Sequence, residues 1–223
     1  SSRLGDNHYY MTTTTGGAAH VLGWLERWHQ TEWPELEVFF TSVTDRWAVA
    51  SIAGPNSRSL LDRLCSDIDL SAGAFPFMSL REGSVAGISA RLFRISFSGE
   101  LAFEINVSAD DGVALWELLM EAGGEYGITP YGTETMHVLR AEKGFVIVGQ
   151  DTDGSVTPVD LGMNWMLSKN KDFLGKRSLS RPDSLRENRK QLVGLLAEDS
   201  TTVIPEGAQL VNDLSAPEPV PMC

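Results

Sequence analysis

Residues 96–106 read SFSGELAFEIN, an alternating stretch with two carboxylates four positions apart. Extended, it turns Phe97, Gly99, Leu101, Phe103 and Ile105 to one side, and Ser98, Glu100, Ala102, Glu104 and Asn106 to the other. A carboxylate accepts two parallel donors well, as it does from a guanidinium. A pterin ring offers such a pair through its 2-amino group and the neighbouring ring N–H. One glutamate on a strand, with an aromatic nearby, would hold such a ring in fixed orientation. The plainer reading is that both acids are solvated. On periodicity alone it leads, because open sheet faces commonly carry charge.

Other chemistry-bearing residues are weaker signals. TTTTGG offers backbone N–H groups to a phosphate, but it lacks the Walker and Rossmann patterns, and a strand with a turn is the better reading. His8, His20, His29 and His137 show no metal-ligand spacing and the cysteines are isolated, so no metal is expected. His137 lies one turn before Arg140 on a predicted helix and reads as a core or supporting residue. Arg140 and Lys143 fall near the end of that helix, where cations complement its dipole. Between Lys169 and Lys190 the chain carries 8 of its 18 Lys and Arg against three acids. A solvated linker leads there, ahead of a subunit contact or a landing zone for an acidic ligand tail. There is no G-x-S-x-G elbow and no acid–base dyad with an activating partner.

The elements that must position these residues follow from pattern. HYYMTTTT, LEVFFTSVT, WAVASIAG and QLVGLLAED read as strands. AAHVLGWLERWHQTEW is helical, with Val21, Leu22, Leu25 and Trp28 as its apolar spacing, and Pro34 ends it. A second helix follows a Gly-Pro turn, with Asn56 as N-cap and Leu60, Leu61 and Leu64 as its buried stripe. DDGVALWELLMEAGGEYG and GTETMHVLRAEKG are two more, closed by glycines. The order lacks a βαβ rhythm and shows no internal repeat, so the fold class is α+β, with a β-rich module starting near residue 190.

Composition bounds the rest. The 223 residues are 42% hydrophobic, enough for one large domain or two smaller ones. A net charge of −12 disfavours nucleic acid and anionic membrane as partners. No apolar run nears the ~20 residues of a membrane helix. Two cysteines, Cys65 and Cys223, make no disulfide framework and fit a reducing cytoplasm. Without an initiator Met, and with a turn-rich close, the chain is expected to be a piece of a longer polypeptide.

Four stretches in order resemble the aminomethyltransferase family, whose best-known member is the T-protein of glycine cleavage. IAGPNSRSLL is similar to its strand–Gly-Pro-Asn–helix element, and SFSGELAFEI to its Tyr-Thr-Gly-Glu…Glu-Ile signature. GTETMHVLRAEKGFVIVGQD resembles its Leu-Arg-x-Glu-x-Gly helix and Gly-Gln-Asp turn, and TPVDLGMNWMLSKNKDFLGKRSL its Met-x-Trp…Asp-Phe-Ile-Gly element. Within the family, YMTTTTGGAAHVLGWLERWHQTEWPEL, AFPFMSLRE and ITPYGTETMHVLRAEKGF resemble the carboxy-terminal region of heterotetrameric sarcosine oxidase alpha subunits.

That resemblance implies the aminomethyltransferase folate-binding fold, with antiparallel or mixed sheets and packed helices. It implies an upstream subdomain ending over 1–34, a central folate-binding domain over 35–180 and a truncated β-barrel domain starting over 190–223. It implies tetrahydrofolate as the ligand, capture of the methylene unit of oxidised sarcosine as 5,10-methylenetetrahydrofolate, and other sarcosine oxidase subunits as partners. Flavin and NAD sites would lie outside this chain. Residue by residue, Glu104 falls on the glutamate that grips the pterin, and Ala102 leaves room beside it. Phe97 falls where the family has a tyrosine that packs on folate, keeping the stacking without the hydroxyl. Arg140 falls on the helix arginine near the folate site, Trp165 on the tryptophan of the Met-x-Trp element, and Thr14 near an asparagine lining the pocket. The family's proposed catalytic aspartate lies in an Asp-Asp-Gly stretch upstream of the matched region, so no catalytic residue is assigned here and the isolated piece is expected to be inactive. A dimethylglycine oxidase-type enzyme, a free T-protein or a non-catalytic subunit-assembly module are the alternatives. Phe97 and TTTTGG favour the oxidase side.

Overall fold

The structure is a computed structural model, and it describes residues 1–199, 201–205, 207, 208, 211, 213 and 215. Cys223 and most of the closing segment lie outside the described residues. The chain forms two compact units, Ser1–Phe145 and Val146–Cys223.

The first unit opens on a hairpin of β1 (Ser2–Gly5) and β2 (His8–Tyr10). The threonine run expected to prolong β2 runs instead as loop into a 3-10 turn at Thr15–Gly17. α1 (Ala18–Glu32) buries no residue fully; Trp28 packs between Trp24 and Trp33, with ring centroids 6.0 and 5.8 Å away. The strand expected over 36–44 does not form. Phe39 there is 94% exposed, and its apolar alternation has no sheet to lie on.

The frame is a four-stranded antiparallel sheet. Its strands are β3 (Trp47–Ala53), β4 (Leu80–Val85), β5 (Ile88–Phe93) and β6 (Ala102–Ser108), in spatial order β3–β6–β5–β4. β4 has little strand signal in LREGSV. It is made by pairing with β5 across a two-residue turn, Ala86 and Gly87, both at positive φ as a type I′ hairpin requires. Alternation on β6 sends Phe103, Ile105 and Val107 to the core. There they meet Ile52, Leu92 and Val85 of the other strands, Leu60 and Leu61 of α2 (Ser57–Leu64), and Leu115 and Leu119 of α3 (Gly112–Gly123). Gly112 is obligatory, because a Cβ there would sit 2.6 Å from that of Ala48.

The Gly-Pro-Asn turn fixes where β6 starts. Gly54, at φ +115, donates its N–H to Leu101 O at 2.8 Å. The buried Ser57 hydroxyl reaches both Gly54 O and Leu101 O, at 2.8 and 2.9 Å. Asn56 holds the N-cap position but makes no side-chain cap bond, since its backbone is already helical rather than extended; Ser57 ties the helix start instead. α4 (Thr133–Lys143) closes at Gly144 in the left-handed region, with Phe145 N returning to Arg140 O at 2.8 Å.

In the second unit, residues 191–199, expected as a strand, run as irregular chain. Leu192 N donates to Asp160 O at 2.8 Å, so that backbone group is spent on a loop rather than on a ladder.

Candidate functional site

One face of the sheet is the core; the other carries Glu104. Register places Ser51 of β3 and Phe93 of β5 directly opposite Glu104, and Val49 and Arg91 opposite Asn106. Glu104 is half-buried, and that burial raises its carboxyl above the usual range. Among the described residues it makes no hydrogen bond and no ion pair. Two acceptor oxygens are thus held in a partly dry setting without donors.

An aromatic and cationic layer flanks it. Tyr10 of β2 stacks on Phe93, with centroids 5.9 Å apart and planes 28° apart, and meets Trp47 edge-on at 5.9 Å. The Arg91 guanidinium lies 4.7 Å from the Tyr10 ring centre and 4.8 Å from that of Trp47. Since β6 lies between β5 and β3, Arg91 crosses over it near Asn106 to do so. Its other contact is Glu82, at 2.8 Å. Burial raises the Tyr10 phenol, Arg91 opposes that rise, and Glu104 adds to it, so the phenol and the carboxylate feel each other.

The alternation over residues 96–106 is broken. Residues 97–101 form a bend, with Gly99 at φ +86, and β6 begins only at Ala102. Glu100 is therefore an exposed bend residue and does not share the strand face of Glu104. Gly99 is the cause: a Cβ there would run into the Lys143 side chain, so the bend lies flat on the end of α4. Ala102, expected to leave room beside Glu104, is 1% exposed, so that space is already filled.

The other expected contacts fall on four different segments of the chain. Phe97 sits in the bend, 44% exposed. Arg140 is buried on α4, its Nη1 donating to Phe145 O, just past the helix end, at 3.1 Å. Thr14 is an exposed loop residue whose carbonyl accepts from Gly17 N at 3.0 Å. Trp165 belongs to the second unit, in a 3-10 turn at Asn164–Met166, 82% exposed. The bend carrying Phe97 and the helix carrying Arg140 are adjacent through Gly99 and Lys143. No local pattern points to Tyr10, Arg91, Phe93 and Trp47, whose meeting depends on sheet register. Asn106 was visible on the Glu104 side of the alternation.

The second unit is centred on Asp160. Its carboxylate accepts Arg189 Nε at 2.8 Å and Nη2 at 2.6 Å, and the Thr157 N–H and hydroxyl, both at 2.8 Å. Arg189 thus leaves the predicted solvated linker for a bidentate, nearly water-free pair. These bonds, Arg189 first, hold the Asp160 carboxyl far below the usual range.

With this geometry in view, the lineage is clear. The chain belongs to the GCVT N-terminal domain family, which matches residues 1–171. It is 59% identical over 210 residues to sarcosine oxidase subunit alpha of Corynebacterium sp. (strain U-96), covering 94% of this chain and 22% of that one. It is 44% identical over 214 residues to sarcosine oxidase subunit alpha of Rhizobium meliloti (strain 1021), covering 95% and 22%. It is 32% identical over 212 residues to human mitochondrial dimethylglycine dehydrogenase, covering 94% and 24%. The chain thus spans about a fifth of the length of these relatives. No described helix is long and apolar enough to cross a membrane.

Proposed function

We propose that this chain is the folate-binding, one-carbon-transfer region of a sarcosine oxidase alpha subunit. The observation that carries the reading is Glu104: a half-buried carboxylate on a sheet face, among aromatics, with neither oxygen hydrogen-bonded among the described residues. Such a group is costly to keep unless a ligand supplies donors. The 2-amino group and ring N–H of a pterin are the pair it fits. Bound tetrahydrofolate would supply the nitrogens that take up a one-carbon unit at the formaldehyde level, as 5,10-methylenetetrahydrofolate. This chain's part is to orient the ring through Glu104, to offer it the aromatic surface of Phe97 and of the Phe93 ring that Tyr10 covers, and to keep water from the carboxylate.

On this reading Arg140, Trp165 and Thr14 complete the folate surroundings. The catalytic aspartate, the flavin and the NAD lie elsewhere in the polypeptide or its partner subunits, and the isolated chain neither oxidises sarcosine nor transfers carbon. Residues 35–180 would form the folate domain, 1–34 the end of a preceding one and 190–223 the opening of a β-barrel, in a cytoplasmic enzyme. The identity of 59% to a sarcosine oxidase subunit against 32% to a dimethylglycine dehydrogenase favours sarcosine as the parent substrate.

The test is tetrahydrofolate titration of the full-length subunit in its assembly. Glu104→Gln keeps the shape but puts a donor where the ring needs an acceptor. Breaking such a charge-assisted pair costs about 2–5 kcal/mol, a loss of roughly 30-fold or more in affinity. Glu100→Gln, in the exposed bend, should bind as the parent does. Equal binding by Glu104→Gln and the parent would refute the reading.

A further inference from the structure

A second polar group faces the same way as Glu104. Asn106 is two residues along β6 and 2% exposed, and its Nδ2 is buried without a hydrogen-bond partner among the described residues. Buried amides in folded proteins are nearly always paired, so an orphan of this kind calls for an explanation. The surroundings supply the cause. Asn106 is flanked in register by Val49, which has no side-chain acceptor, and by Arg91, whose guanidinium can only donate. Neither can receive the amide N–H.

Resting on the pterin reading of Glu104, we infer that Asn106 is a second contact and a specificity determinant: its amide donates to the ring carbonyl next to the N–H that Glu104 accepts. The polar edge of a 4-oxo pterin runs donor, donor, acceptor: the 2-amino group, the ring N–H and the C4 carbonyl. The strand offers matching chemistry in the same sequence. Glu104 provides two acceptors, and Asn106, about 7 Å further along the same face, provides the donor. To receive the ring, the cover of Tyr10 and Arg91 must move aside. Tyr10 is carried by a two-stranded hairpin of three and four residues, a unit of low intrinsic stability.

This role has a signature that a structural one lacks. Asn106→Leu removes an unsatisfied buried amide and keeps the number and branching of the side-chain heavy atoms, so the full-length subunit should melt at the same temperature or higher. Its affinity for tetrahydrofolate should nonetheless fall about tenfold. A 4-amino pterin, which presents a donor in place of the carbonyl, serves as the second probe. The parent should prefer the 4-oxo ring, and the 4-oxo to 4-amino affinity ratio should shrink in Asn106→Leu. A markedly lower melting temperature for Asn106→Leu, or an unchanged ratio, would overturn the inference. Normal tetrahydrofolate binding by Asn106→Leu beside weakened binding by Glu104→Gln would overturn it alone. Normal binding by both variants would remove the pterin reading as well.

Discussion

Glu104 is held at a cost in stability, because burial disfavours its charged form. Its folded carboxyl titrates above its unfolded value, through burial. The sign follows directly. The folded state favours the protonated form, so the relative stability is fully present below the unfolded range, about pH 4.3. It is lost as pH rises through the raised folded value. Glu104→Gln, which is never charged, should therefore gain melting temperature over the parent at pH 7 and show little difference at pH 4. Melts at the two pH values check this, and equal differences at both would mean the carboxylate carries no burial cost. Asn106 is a parallel case: its Nδ2 is buried in the sheet without a hydrogen-bond partner among the described residues, where an apolar side chain would carry no such cost.

At the scale of elements, the site depends on two joints. The Gly-Pro-Asn turn and Ser57 pin α2 to the start of β6. Ser57→Ala removes that clasp and should cost about 1 kcal/mol in chemical unfolding, since backbone bonds to the same carbonyls remain. Behind it, Leu61 is fully buried on α2, and Leu61→Ala should cost about 2–5 kcal/mol. The second joint is Gly99. Gly99→Ala meets both a positive φ and the Lys143 side chain. It should lower stability by at least about 1 kcal/mol, and Lys143→Gly, which alone removes the clashing Cβ as well as the longer chain, should rescue only part of the loss, because the backbone strain remains. Full rescue would mean that the clash alone requires glycine here.

At the scale of the whole molecule, acid should act with opposite signs on the two units. Protonating Glu104 relieves a cost in the first unit, whereas Asp160 anchors the second as a carboxylate. Its folded value is depressed, so its contribution is present above the ordinary carboxylate range near pH 4. It is lost as pH falls through the lower folded value. Hydrogen exchange of the amides around Thr157 and Leu192, measured against their intrinsic rates, should quicken in strong acid, before the β6 amides respond. Asp160→Asn should bring that faster exchange to neutral pH. Slow exchange there in the variant would show that the pair is dispensable. By itself, the sequence determined the α+β class, the four helices, the core face of β6 and the polar side on which Glu104 and Asn106 lie, because each rests on spacing over a few neighbouring residues. The tertiary structure decided that Gly99 breaks the alternation, that 36–44 and 191–199 find no ladder, and that Arg189 leaves the basic stretch for Asp160, 29 residues away. It alone decided which side chains come within reach of Glu104 and Asn106 and which do not. A residue's type and spacing fix what it can bond, but whether a partner arrives depends on strand register and on groups remote in the chain, which no local pattern encodes.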